Sequence, residues 1–374
     1  MFFVALRMLM GDTTKYLALV CGLAFSTTLV VQQGSIFTGL MRRTAGGVEA
    51  IPQAQIWVMH PATRYFEERK PIEDTALQRV RSVEGVDWAQ RLFVGMGSAR
   101  LPDGTYAAVQ IIGVERLSKV GLPTQFDFGR PSDIEQPDAV AWDHINLPLY
   151  KKVKPGDVLE INDRRARVVA LAAAPRSFIS SPAVFTTYER ALEYAPGERK
   201  RLTFIIASPK LGYTAEDVAR RIERATGLGA KTSDEFFWST LNFFLKNTGI
   251  AINFGVTVLL GLIVGVAIAG QTFFTFTVEN TRHFGALKAM GLSNWKLIQM
   301  VLLQALVVGL IGWGIGVGAA TIFGYNINQR SVIAFQMTPH LLIFSFVIML
   351  VTILLAALIS IRRVIMIEPA IVFR

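Results

Sequence analysis

Residues 279–297, ENTRHFGALKAMGLSNWKL, set Arg282, His283, Lys288 and Lys296 between two long apolar runs. The stretch is too short for a domain, yet its parts are those of a helix. Asn280 or Thr281 can cap its start. Phe284, Leu287 and Met290 recur at a spacing of three, and Gly291 is a C′ stop. Ser293 can then cap the element that follows. A short amphipathic helix here separates its two apolar flanks into two membrane spans, so the reading of this stretch decides the fold.

A bilayer crossing needs about 20 mostly apolar residues. The sequence predicts four: 17–40, 250–276, 298–324 and 341–361. The apolar start, with Phe2, Phe3, Leu6, Met8, Leu9 and Met10, reads as an interfacial helix over 1–16 ahead of a retained first span. Short basic flanks carry Arg7 and Lys15, then Arg282, Lys288 and Lys296, then Arg362, Arg363 and Arg374. All fall on one side of a four-span chain, against Arg42 and Arg43 on the other. The positive-inside rule makes that side cytoplasmic. Both termini (the tail being 362–374) and the 277–297 loop are therefore expected inside, with a short external loop over 325–340.

The chain has 374 residues, 52% hydrophobic and 18% charged, with a mean hydropathy of +0.41. This composition points to a multi-pass protein of the inner or plasma membrane with a sizeable water-exposed part. The formal net charge is +10, but residues 41–245 hold 28 basic and 25 acidic side chains, and the rest hold 10 and 3. The excess lies beside the spans, which argues for membrane lipid and against a nucleic-acid partner. The lone Cys21 sits in an apolar run and offers no disulfide framework.

Residues 41–233 read as an α+β extracytoplasmic domain. QIWVMH is a strand, IEDTALQRVRSVEGV a helix, and the two strands around the turn PDGT follow. LTFIIAS, TAEDVARRIERATG and a short strand to Thr232 repeat the plan, with Thr214 as N-cap and Gly227 as stop. Two βαβ-type lobes thus bracket a small β insert at about 137–200, whose Arg164, Arg165 and Arg167 read as a solvated strand face. Residues 234–249, with Phe236, Phe237, Leu241, Phe244 and Leu245 at helical spacing, read as a stalk continuing the second span outward.

The sequence contains no G-x-x-x-x-G-K-[ST], H-E-x-x-H, C-x-x-C or G-x-S-x-G. No catalytic residue, metal site or cofactor is expected in this chain. Met41, Met337 and His340, near the outer ends of spans one and four, could contact a substrate or a haem, although ordinary interfacial residues have the same look. The spans contain no Asp, Glu, Lys or Arg, which removes the usual groups of a proton- or ion-coupled carrier. Gly261 and Gly265, and Gly312 and Gly316, are spaced for close helix approach. Intrachain packing and dimerisation both fit that spacing.

TRHFGALKAMGLSNWKLIQMVLLQ resembles the cytoplasmic loop and third span of MacB/FtsX-like, type VII, ABC transporter permeases. Their pattern is roughly T-x-R-x-R-E-[FI]-G-x-L-[KR]-A-[LM]-G-x-S. The ending IEPAIVFR is similar to that family's D-P-A-x-x-L-R, and the start, ALRMLMGDTTKYLALVCGLAFSTTLVVQQGSIFTGL, resembles the DevC/HrtB-type branch. The resemblance implies an α-helical membrane protein with four transmembrane helices and a large external domain. It implies that the loop is a coupling helix whose Arg282, His283, Phe284, Gly285, Ala286, Leu287, Lys288 and Met290 dock on a cytoplasmic ABC ATPase subunit that binds the ATP and Mg. The family usually carries glutamate at the position of His283, so that contact departs from the pattern.

The expected role is the permease subunit of an ATP-driven exporter acting by mechanotransmission, moving an amphiphilic or hydrophobic substrate outward from the outer leaflet or periplasm. A homodimer is expected, and a periplasmic adaptor and outer-membrane channel are possible further partners. Two alternatives stand beside it: an FtsX-like regulator of external cell-wall hydrolases, and a membrane-anchored sensor or adhesion module.

Overall fold

The computed structural model describes residues 7, 8, 10, 11, 13–144, 153–174, 178, 181–195, 201–330 and 333–365. Most of the expected interfacial helix and the terminal IEPAIVFR lie outside these. The chain divides into two compact units, residues 1–39 with 249–374, and residues 40–248.

The first unit is helical. Its helices are α1 (Thr13–Thr44, running on into the second unit), α7 (Ile250–Glu279), α8 (Thr281–Ala289), α9 (Asn294–Arg330) and α10 (Pro339–Ile365). All but α8 are long and apolar enough to cross a membrane. Within the unit, α10 packs against both α7 and α9. Leu19, Val20 and Leu23 of α1 join Ala269 and Phe273 of α7, Met300 and Val301 of α9, and Met349 and Ile353 of α10 in one buried cluster.

The second unit adds α2 (Gly46–Glu49), β1 (Ile56–Met59), α3 (Ala76–Arg81), β2 (Val86–Arg100), β3 (Tyr106–Val114), β4 (Gln125–Phe128), β5 (Ala139–Asp143), β6 (Val158–Ile161), β7 (Arg164–Ala173), β8 (Ala183–Thr187), α4 (Tyr188–Tyr194), β9 (Phe204–Pro209), α5 (Ala215–Thr226), β10 (Gly229–Thr232) and α6 (Ser233–Asn247). The strands form a single sheet in the order β10-β1-β9-β2-β3-β8-β5-β7-β4, with β6 pairing β2 and β7.

The two expected βαβ units are present, but they interlock instead of closing as separate lobes. β9 runs antiparallel between β1 and β2, and β1 runs antiparallel between β9 and β10. Each unit is thus a split βαβ, with a strand of the other in its gap. The insert also joins this sheet, through the parallel pair β3–β8. The reason is local: β1 and β9 are buried on both faces, so each needs a neighbour on both edges and cover above and below. Ile56 and Val58 face the cluster holding α3 and α5, while Trp57 and Met59 face the one holding Phe66 and Phe236.

Turn and cap chemistry agrees with the sequence. Gly104 closes the β2–β3 hairpin at φ +82°. Thr214 Oγ1 accepts from the Asp217 amide at 3.2 Å, and Gly227 ends α5 in the left-handed region at φ +71°. The start of α6 carries a capping box that the expected boundary missed: Thr232 Oγ1 accepts from the Glu235 amide at 3.2 Å, and the Glu235 carboxylate accepts from the Thr232 amide at 2.9 Å.

The stalk expectation needs one correction. α6 does not continue into α7. Thr248 is extended (φ −117°, ψ 147°), and a new helix starts after Gly249. Thr248 Oγ1 turns back to the Phe244 carbonyl at 2.5 Å, closing the end of α6. The unbroken helix between the two units is α1.

Candidate functional site: the short helix between the second and third spans

α8 is fixed at several points. Phe284 is fully buried, in the cluster that also holds Leu19, Phe273, Leu297 and Met300. Gly285 beside it is buried too. Leu287 is partly buried and packs on the same cluster. The C-terminus is a Schellman turn: the Gly291 amide donates to the Lys288 carbonyl at 3.0 Å, and the Leu292 amide to the Leu287 carbonyl at 3.2 Å. Gly291 sits at φ +91°, where a side chain would strain the turn. Lys288 Nζ donates to the Ile365 carbonyl at 3.0 Å, tying α8 to the end of α10. An ion pair between Lys15 and Glu279 ties the start of α1 to the end of α7.

Two expectations about this helix change. Asn280 does not cap it with its side chain, because Asn280 Nδ2 donates back to the Phe276 carbonyl at 2.9 Å; the Thr281 hydroxyl likewise turns to the Val278 carbonyl at 2.5 Å. The stripe of Phe284, Leu287 and Met290 is also not one outward docking face. Phe284 and Gly285 point into the chain's own bundle, and Met290, the cap residue, is 71% exposed. The apolar period placed these residues on one side, but a nine-residue helix needs that side to hold it to the bundle. What α8 presents outward is Arg282, His283, Ala289 and Met290, with Ala286 and Lys288 half-buried.

The sequence reading missed Trp295 as a neighbour of this face and named Lys296 only as a basic flank. Trp295 is 64% exposed at the start of α9, and Lys296 beside it is exposed. An aromatic among polar residues just after the stop glycine was the available signal. Ser293 caps α9 as expected, accepting from the Lys296 amide at 3.5 Å.

The small residues meet partners inside the chain. A Cβ on Gly312 would lie 2.8 Å from Leu23 Cβ, and one on Gly316 would lie 2.7 Å from the Ala24 carbonyl oxygen. One on Gly265 would meet Ser26, and Gly261 faces Val30 and Leu29. Ser26 Oγ donates to the Gly261 carbonyl at 2.8 Å. Both glycine pairs therefore admit α1. The possible substrate contacts are less coherent. Met41 is buried and belongs to the sheet unit, while Met337, whose sulfur accepts from Thr321 Oγ1 at 3.8 Å, and the exposed His340 belong to the helical one.

Comparison with known proteins covers both units. The MacB-like periplasmic core domain family model matches residues 17–225, and the FtsX-like permease C-terminal family model matches residues 255–369. An uncharacterized ABC transporter permease of Mycobacterium bovis is 26% identical over 357 residues, 94% of this chain and 93% of that protein. Another from Mycobacterium tuberculosis strain H37Rv is 26% identical over 305 residues, 80% of this chain and 79% of that protein. Among solved structures, the periplasmic region of MacB from Actinobacillus actinomycetemcomitans matches at 16% identity with a TM-score of 0.37, covering 54% of this chain and 96% of that one.

Proposed function

Because this chain belongs to the MacB/FtsX-like family of ABC transporter permeases, we propose that it is the permease subunit of an ATP-driven exporter working by mechanotransmission. An ABC transporter permease works with an ATPase subunit, and α8 is the segment we assign to that contact. The carrying observation is how α8 is held: Phe284 is locked in the bundle while Arg282, His283 and Met290 stay exposed. A partner that moves α8 would move the bundle with it, because a buried aromatic and a closed helix end leave no slack.

Motion then has one stiff route and one jointed route to the sheet domain. α1 is one helix through Thr44, whereas α6 and α7 are separate helices with Thr248 extended after α6. In this reading the ATPase closes on ATP and Mg, α8 shifts, and α1 carries the displacement outward. The subunit is a homodimer in the cell membrane with both termini cytoplasmic. It expels an amphiphilic or hydrophobic substrate from the outer leaflet or periplasm, with an adaptor and outer-membrane channel where a second membrane exists. The absence of ionisable residues from the four spans supports an external energy source.

The test is co-purification of the tagged full chain from its native membranes. An ABC ATPase is expected with the wild type, and Arg282→Glu with Met290→Asp should lose it. A charge reversal on the sheet domain, Glu216→Lys, should retain it. Retention by the double variant would refute the docking face, and no ATPase with the wild type would refute the permease reading.

A further inference from the structure

The segment from His60 to Ile72 crosses the sheet domain between β1 and α3, and it holds two consecutive glutamates in opposite surroundings. Glu68 is saturated with donors. Arg64 gives it two parallel bonds of 3.0 Å, the Arg64 amide a third at 2.8 Å, and Lys70 lies 3.3 Å away. These partners, Arg64 foremost, hold its carboxyl at about 2. Glu67 has none of this. Both of its carboxylate oxygens are buried, and neither accepts a hydrogen bond among the described residues. Burial pushes its carboxyl up to about 7, outweighing the pull of its own backbone amide and of Arg69.

The backbone is pinned on both sides of Glu67, which leaves only its side chain to turn toward a ligand. Phe66, immediately before it, is buried among Trp57, Phe204 and Phe236, stacked on Phe204 at 5.5 Å. Glu68, immediately after it, is clamped by Arg64. Farther on, the Ile72 amide donates to the Leu202 carbonyl at 2.9 Å. A carboxylate held in a dry position without a donor is destabilising in the empty protein. Such groups concentrate where a ligand supplies what is missing.

Glu67 lines a cavity of about 320 Å³. Among the described residues, Arg69 and Arg201 are the other charged groups on its wall, and Pro71, Phe93, Val94 and Met96 supply apolar surface. Thr203 closes one side, its hydroxyl accepting from the Val94 amide at 2.8 Å and donating to the Leu92 carbonyl at 3.0 Å, so it has no bond left to give. Among the described residues, the wall then carries ionised Glu67 with Arg69 already beside it, and Arg201 as a further cation. A ligand that matches it offers an ammonium group for Glu67, an anionic group for the arginine side, and a small apolar body.

We propose that this cavity is a binding site for a small zwitterion of the amino-acid class, with Glu67 as the counter-ion of its ammonium group and Arg201 facing its carboxylate. The size, at the small end of the range for ligand pockets, suits one amino acid or a short peptide end. Binding requires ionised Glu67, so affinity rises with pH between 5.5 and 8.

The purified full chain in detergent is titrated with L-leucine, N-acetyl-leucine and leucinamide, with binding read by calorimetry. Leucine should bind, and its affinity should increase about tenfold or more from pH 5.5 to pH 8. N-acetyl-leucine, which lacks the ammonium, should bind at least about tenfold more weakly, the scale of one hydrogen bond to a charged group. Glu67→Gln is near-isosteric and leaves the Glu68 clamp intact; it should lose both leucine affinity and the pH dependence. Arg201→Gln, at an exposed position, should weaken leucine but not leucinamide. The site assignment is overturned by no leucine binding to the wild type, by N-acetyl-leucine binding as tightly as leucine, or by unchanged leucine binding in Glu67→Gln.

Discussion

α8 and the 60–72 segment are built on the same device and used in opposite directions. Each is a short polar stretch fixed by one fully buried phenylalanine, Phe284 in the helical unit and Phe66 in the sheet unit. Each is closed by a second tie, the Schellman turn with Lys288 in α8 and the Arg64–Glu68 clamp in the segment. They differ in where the polar side chains go. Arg282 and His283 stand in the open, while Glu67 is turned inward with no donor. An anchored stretch that points its charges outward suits a large partner with its own solvated surface. One that buries a charge suits a small ligand that must bring its own counter-ion. The anchor is therefore not the functional group in either place, although it is the residue whose loss is felt most.

Removing the anchors should have the largest effect. Phe66→Ala should destabilise the sheet unit by about 3–5 kcal/mol, and Phe284→Ala should loosen α8 by a similar amount. Thermal unfolding of the full chain checks the first. Limited proteolysis between residues 280 and 292 checks the second, with faster cleavage expected. If both changes are mild, the shared-anchor view fails.

The inward charge comes next. The folded Glu67 carboxyl is raised, so the unfolded chain gives up its proton first, and stability falls as pH rises from about 4.5 to 7. Glu67→Gln should abolish that fall and stabilise the protein at pH 8 by on the order of 2–3 kcal/mol. Glu68 has the opposite sign. Its stability is present above about 4.5 and lost as pH drops toward 2, and the exposure of its partner Arg64 (62%) limits the amount to under about 1 kcal/mol. Unfolding curves at pH 5, 7 and 8 for both Gln variants separate the two residues.

The bundle that holds Phe284 supplies an intermediate case. Gly316→Ala would press on the Ala24 carbonyl, a backbone atom that cannot swing away, and should cost about 1–3 kcal/mol. Gly318→Ala meets open space and should be neutral or slightly stabilising. Thermal stability in one detergent ranks the pair. The smallest effect belongs to the outward face: Met290→Asp leaves folding unchanged and should weaken ATPase retention about tenfold, roughly 1.4 kcal/mol.

Much of this protein was legible in its sequence. The four long apolar helices, the stop at Gly291, the caps at Thr214 and Ser293, and both βαβ units depend on composition, period and side-chain reach over a few residues. Expectation failed where a pattern had two possible partners. The period of Phe284 and Leu287 announces an apolar side without saying whether the chain's own helices or another protein covers it. The glycine pairs at 261/265 and 312/316 announce close approach without naming α1. The helical spacing of the stalk aromatics was read straight through Lys246, Asn247, Thr248 and Gly249, although that polar stretch marked the break at Thr248–Gly249. In TRYFEERK nothing distinguishes Glu67 from Glu68.

By itself the sequence determined which segments are helices and strands, which side of each is apolar, and which family the ends resemble, since these follow from local spacing. Only the tertiary structure decided that β9 lies between β1 and β2, that Phe284 of α8 faces home, and that one of two adjacent glutamates has its carboxylate oxygens buried without a hydrogen bond. Those outcomes depend on what stands opposite a side chain, and residues far apart in the chain supply it.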